Sequence, residues 1–149
     1  MSRASSLDEA LLREGRTKDK RQKALEVLRA ALEAVDPANA LKRHVSLQGN
    51  ILQIGQRRYD LNAHRHIIAV GAGKASGAMA LALEEVLGDR LTSGWINVKD
   101  GYTAPTQRIH IHEAGHPVPD ARGLAGAQQI ARMVSEAGED DLVICLISG

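Results

Sequence analysis

The sequence predicts an α/β fold: a three-layer, Rossmann-like sheet, mainly parallel, with an N-terminal helix and a small β-hairpin ahead of it. Three observations carry this expectation. From residue 66 onward the signals run strand, helix, strand, strand, helix, strand. The segments His66–Val70 and Leu142–Ile147 are apolar almost without interruption, as interior strands covered on both faces are. A glycine loop, Gly71-Ala72-Gly73-Lys74, joins the first of those strands directly to a helix.

Each element has its own signal. Residues 1–19 read as a polar lead-in and residues 20–149 as one α/β domain. Ala24, Leu25, Leu28, Ala31, Leu32 and Val35 recur at spacings of three and four, which places them on one helical face. That face is expected to pack on the sheet layer. Asp36-Pro37 ends the helix and can start a short second one to about Arg43. Val45, Leu47, Ile51 and Ile54 flank Gln48-Gly49-Asn50 and predict a β-hairpin, which Tyr59 and Leu61 can extend. Met79, Leu81, Leu83, Val86 and Leu87 form the helix after the glycine loop. Trp95–Val98 and Arg108–His112 follow as strands. Asp120 caps a helix to about Ala137, in which Gly123 and Gly126 each cost about 1 kcal/mol relative to alanine.

Composition narrows the function classes. Of 149 residues, 44% are hydrophobic and 2% aromatic with no Phe, so the core is built from Leu, Ile, Val and Ala. The formal net charge of +1 gives no reason to expect a nucleic-acid partner. No apolar stretch approaches the ~18–20 residues that span a bilayer, and Met1–Arg16 lacks the apolar segment of a signal peptide. A cytoplasmic protein without a membrane partner is expected; self-association into a homo-oligomer stays open. Cys145 is the single cysteine and, lying in an apolar run, is expected to be a buried, inert thiol.

The glycine loop suits an anion. Glycines let the backbone turn and let a ligand approach its amides, and the following helix N-terminus adds positive dipole. Lys74 adds a mobile unit charge at the same place. A Walker A loop would need Gly at 68 and Ser or Thr at 75, where this chain has Ile68 and Ala75. A dinucleotide loop would need G-x-G-x-x-G; the chain has a looser G-x-G-x-x-x-G, and the only acidic residue at the right distance, Asp100, follows the basic Lys99. A tight turn required for packing alone competes with the anion reading. A second loop, Glu113 to Asp120, holds His116 between Gly115 and Pro117 at a strand C-terminus, where open α/β sheets bind ligands. His116 contacts substrate or phosphate there, or else hydrogen-bonds backbone. His110, His112 and His116 lack the geometry of a zinc site, and no metal ligands are assigned.

Three segments together resemble the glycerate 2-kinase family, whose N-terminal domain is sometimes paired with a domain labelled MOFRL. They are Val70-Gly71-Ala72-Gly73-Lys74-Ala75, Glu113-Ala114-Gly115-His116-Pro117-Val118-Pro119-Asp120, and Leu146-Ile147-Ser148-Gly149. Ala30 to Pro37 also resembles the family's first helix and its break. The resemblance implies an ATP- and Mg²⁺-dependent kinase acting at the 2-hydroxyl of D-glycerate. It implies Lys74 as the catalytic lysine and Ser148-Gly149 as part of an anion-binding turn; with the loop readings above, Gly71, Gly73, Lys74, His116, Ser148 and Gly149 are the expected substrate- or phosphate-binding residues. Ser148-Gly149 matches the opening of a Ser-Gly-Gly-Gly-Ser turn, so the chain is expected to be a truncated and inactive N-terminal part. Two alternatives are an NAD(P)-dependent hydroxypyruvate reductase, a name some family members have carried, and a non-catalytic anion-binding module.

Overall fold

The computed structural model describes residues 17–149; most of the expected lead-in lies outside them. The chain divides into two compact units at Asp36-Pro37. The first holds α1 (Lys18–Ala34), which begins two residues before its expected start. None of its residues is buried, and Val27, Leu28 and Leu32 are exposed. The expected burial of Leu28 is therefore corrected. An amphipathic period suffices to shape a helix, but it does not supply the surface that would cover the stripe.

The second unit contains two sheets. After α2 (Pro37–His44), the strands β1 (Val45–Gln48), β2 (Ile51–Ile54) and β3 (Arg57–Asp60) form an antiparallel meander. The first turn falls at Gly49-Asn50, as the hairpin signal predicts, and Gly49 has φ +59°. The hairpin is thus the first half of a three-stranded sheet. The main sheet comprises β4 (His66–Ala72), β5 (Ser93–Lys99), β6 (Ile109–Ala114) and β7 (Asp141–Ile147), all parallel, in the order β6-β5-β4-β7. Helix α3 (Ser76–Leu87) lies on one face and α4 (Ala121–Glu136) packs on β5 and β6.

The core explains why α3 is apolar on more than one side. Leu83, Leu87, Ala80 and Ala82 join a cluster with Ile67, Ala69, Ile96, Ile144 and Leu146 of the main sheet. The same cluster takes Leu41 of α2 and Val45 and Leu52 of the meander. A helix with partners on two sides needs no single stripe.

Two expectations about β7 change. It is a sheet edge among the described residues rather than an interior strand. Ile144 and Leu146 are buried, whereas Cys145 and Ile147 on the opposite face are exposed. Cys145 is therefore an exposed thiol, because α4 sits over β5 and β6 and leaves that part of β7 uncovered.

Asp141 fixes the start of the β4–β7 pair. Its Oδ1 accepts from the His66 amide at 3.1 Å and lies 2.9 Å from His66 Nδ1, while Oδ2 accepts from the Gly138 amide at 2.9 Å. The Gly138 amide first, and then His66, hold the Asp141 carboxyl below its ordinary value of 3.8. A carboxyl lowered by folding stabilises the fold fully above its unfolded value and loses that contribution as pH falls through its folded value. Asp141→Ala should therefore lower the urea midpoint at pH 7, and the gap from the wild type should narrow below pH 3.8.

The two helix glycines separate by what surrounds them. A Cβ on Gly126 would sit 2.1 Å from Asn97 Oδ1, an atom already fixed by Trp95 Nε1 at 3.1 Å. A Cβ on Gly123 meets only ordinary contacts, the nearest at 3.7 Å. Gly126→Ala should thus destabilise by about 1–3 kcal/mol despite alanine's better helix propensity. Gly123→Ala should be neutral or stabilising by up to about 1 kcal/mol. Thermal unfolding of both variants checks the contrast.

Candidate anion site at the C-terminal edge of the parallel sheet

The C-terminal ends of β4, β5, β6 and β7 open onto one cavity of about 230 Å³. Of the sequence-predicted residues, Gly73, Lys74, His116, Ser148 and Gly149 line it. Three chain segments far apart in sequence therefore meet at one sheet edge. Gly71 does not line it; it lies inside β4, where a Cβ would come within 2.0 Å of the Leu146 carbonyl oxygen. Close strand packing by itself requires a glycine there.

The β4–α3 turn is built around Ser148. Gly73 has φ +127°, and a Cβ there would meet Ser148 Oγ at 2.2 Å. The Ser148 hydroxyl accepts from the Ala75 amide at 3.0 Å, and the Ser148 amide donates to the Ala72 carbonyl at 3.1 Å. Ser76, fully buried, donates its hydroxyl to the Ala72 carbonyl at 2.7 Å and lies 3.2 Å from the Leu146 carbonyl oxygen. The packing and anion readings of the turn are therefore not exclusive. One amide at the head of α3 is satisfied by Ser148, and the exposed Lys74 projects from the same turn.

Sequence reasoning missed Asn97, Lys99 and Arg122. Asn97 and Lys99 line the cavity from the end of β5. Lys99 is half-buried, with Nζ 5.5 Å from the Tyr102 ring centroid. Its position at a parallel strand's C-terminus was the available signal. Arg122 stands outside the cavity and left no trace in the sequence pattern. It binds Asp100 through two nitrogens, at 2.7 and 2.8 Å, and Asp120 through Nε at 2.8 Å. Hydrogen bonding to Arg122 holds the Asp100 carboxyl below its ordinary range. The Gly123 amide, then Arg122, do the same for Asp120. Asp120 Oδ2 also accepts from the Gly115 amide at 3.1 Å, which ties the His116 loop to the head of α4.

The donor set tells which ligand fits. Two lysines and a histidine line the cavity, together with glycine backbone, and no Asp or Glu does. That suits an anion and does not fit a Mg²⁺ ion held by protein carboxylates. No group of three or more His, Cys, Asp or Glu among the described residues could hold a metal. His110 and His112 instead stack with Trp95, at centroid distances of 4.1 and 5.3 Å, and His112 Nε2 donates to the Arg122 carbonyl at 2.9 Å.

Gly73→Ala should deform this turn, because the left-handed backbone and the Ser148 contact both exclude a side chain. A loss of about 1–3 kcal/mol in urea unfolding is expected.

Comparisons with known proteins agree with this architecture. A glycerate 2-kinase of Pyrococcus horikoshii is 32% identical over 131 residues, covering 88% of this chain and 29% of that protein. A protein of Agrobacterium vitis bearing the name of a hydroxypyruvate reductase is 49% identical over 82 residues, covering 55% of this chain and 21% of that one. A crystal structure of a Pyrococcus horikoshii protein superposes with TM-score 0.74 at 28% identity, covering 84% of this chain and 28% of that one. The crystal structure of a Thermotoga maritima glycerate kinase superposes with TM-score 0.62 at 30% identity, covering 82% of this chain and 26% of that one. The chain spans less than a third of the length of these relatives. The family described as a domain of unknown function, DUF4147, matches residues 23–149. The chain belongs to this family, that of the N-terminal part of glycerate kinases.

Proposed function

We propose that the chain forms the N-terminal part of an ATP-dependent D-glycerate 2-kinase. The observation that carries this reading is a cavity lined by both Lys74 and Lys99 and by no carboxylate. At about 230 Å³ it accommodates the reacting ends of its ligands rather than a whole nucleotide. The similarity to glycerate kinases supports the substrate class.

Phosphoryl transfer asks a protein for positioning and for neutralisation of charge. The bond from the γ-phosphorus to the bridging oxygen of ADP breaks with its electron pair staying on ADP, and a bond to the glycerate 2-hydroxyl oxygen forms as its proton passes to solvent water. Lys74, on the turn that leads into α3, stabilises the negative charge spread over the transferring group. Backbone of Gly73, Ser148 and Gly149 shapes the adjacent wall. Mg²⁺ arriving with ATP would supply further neutralisation on the triphosphate. The described cavity residues do not themselves fit a carboxylate-held ion, so the triphosphate would carry it.

A nicotinamide-dependent reductase is not favoured. In such a site Asp100 would face the ribose hydroxyls, whereas here its carboxylate is bound bidentately by Arg122.

In a full-length chain containing this segment, Lys74→Ala should slow ATP-dependent glycerate phosphorylation by about 10²–10³-fold, about 3–4 kcal/mol, with the circular dichroism spectrum unchanged. Lys74→Arg should recover little, since a planar fork does not replace a compact ammonium. Wild-type turnover by Lys74→Ala, read as ADP release, would overturn the assignment.

A further inference from the structure

We propose that Lys99 is a second anion-binding residue of this cavity, taking the carboxylate of the hydroxy acid, and that Arg122 is a positioning residue that keeps it available. The inference deepens the kinase reading and rests on it. Phosphoryl transfer to a hydroxy acid brings two anionic ends into one site, and one ammonium cannot hold both. Lys74 leaves the turn at the head of α3, where the helix N-terminus favours phosphate. Lys99 enters from a different strand end, beside Ala114 and Gly115.

Lys99 forms no ion pair among the described residues, although three carboxylates stand nearby on β6 and the neighbouring loops. Each is engaged elsewhere. Glu113 Oε1 accepts from the Gly101 amide at 2.6 Å. Asp120 accepts from the Gly123 amide at 2.9 Å and from the Gly115 amide, besides Arg122. Asp100 has Arg122 as its side-chain partner, and it lies close enough to Lys99 for the ammonium to help keep it ionised. Without Arg122, Asp120 retains its two amides, whereas Asp100 is released beside Lys99. The Tyr102 ring meanwhile gives the Lys99 ammonium a partner that does not neutralise it, so its charge stays usable for a ligand.

Calorimetric titration of a full-length protein containing this segment with D-glycerate and, separately, with ATP tests this. Lys99→Met should weaken D-glycerate binding by about tenfold while ATP binding changes by less than about threefold. Arg122→Ala should also weaken D-glycerate binding by about tenfold, and adding Asp100→Asn to it should restore most of the loss. A merely structural clamp would not be rescued by removing its partner's charge. Equal weakening of both ligands by Lys99→Met, or none, overturns the role of Lys99. A double variant as weak as Arg122→Ala overturns the role of Arg122. A wild-type full-length protein that binds ATP but not D-glycerate overturns this inference alone, and one that binds neither overturns the kinase reading with it.

Discussion

Gly71 and Gly73 let the end of β4 run against β7 at a separation that no side chain tolerates, and the rest of the site is hung on that contact. Because the two strands meet there, Ser148 reaches the Ala75 amide and Ser76 reaches carbonyls of both strands. The head of α3 is thereby fixed relative to the sheet edge, and the backbone of Lys74 is fixed with it. Preorganisation of this kind lowers the entropy lost when an anion is bound.

A second constraint is electrostatic. Three carboxylates, Glu113, Asp100 and Asp120, stand around a cavity lined by two lysines, and a cavity left to itself would neutralise its own cations. The Arg122 guanidinium and a set of backbone amides absorb the carboxylates on the outer side of the loops. The inner side stays positive without a large net charge on the chain, which is formally +1. Composition alone could not reveal that separation, because it exists only once β5, β6 and α4 are in register.

The parallel sheet, the meander's first turn and the bounds of β7 were legible because period and apolar runs are local properties. Gly73, Lys74, His116, Ser148 and Gly149 were legible because they sit in motifs. The role of Gly71 was not, since a glycine that admits a ligand and one that admits a neighbouring strand read alike in one dimension. Gly126 shows the same ambiguity from the other side: propensity marks it as a defect, while Asn97 requires it. Edge or interior position for β7 depends on strand order, and the exposure of α1 on what covers it. Neither quantity is encoded in the residues of the element itself.

The uncovered face of β7 gives this protein an internal reporter. Its single thiol, Cys145, sits two strands from Trp95, and Ile147 beside it is 64% exposed. A thiol-reactive dye attached there would sense whatever comes to lie over that face, while the cavity is lined by residues other than Cys145. The rate of labelling at this sulfur therefore reads out coverage of that face of the sheet, an optical handle that requires no engineered cysteine.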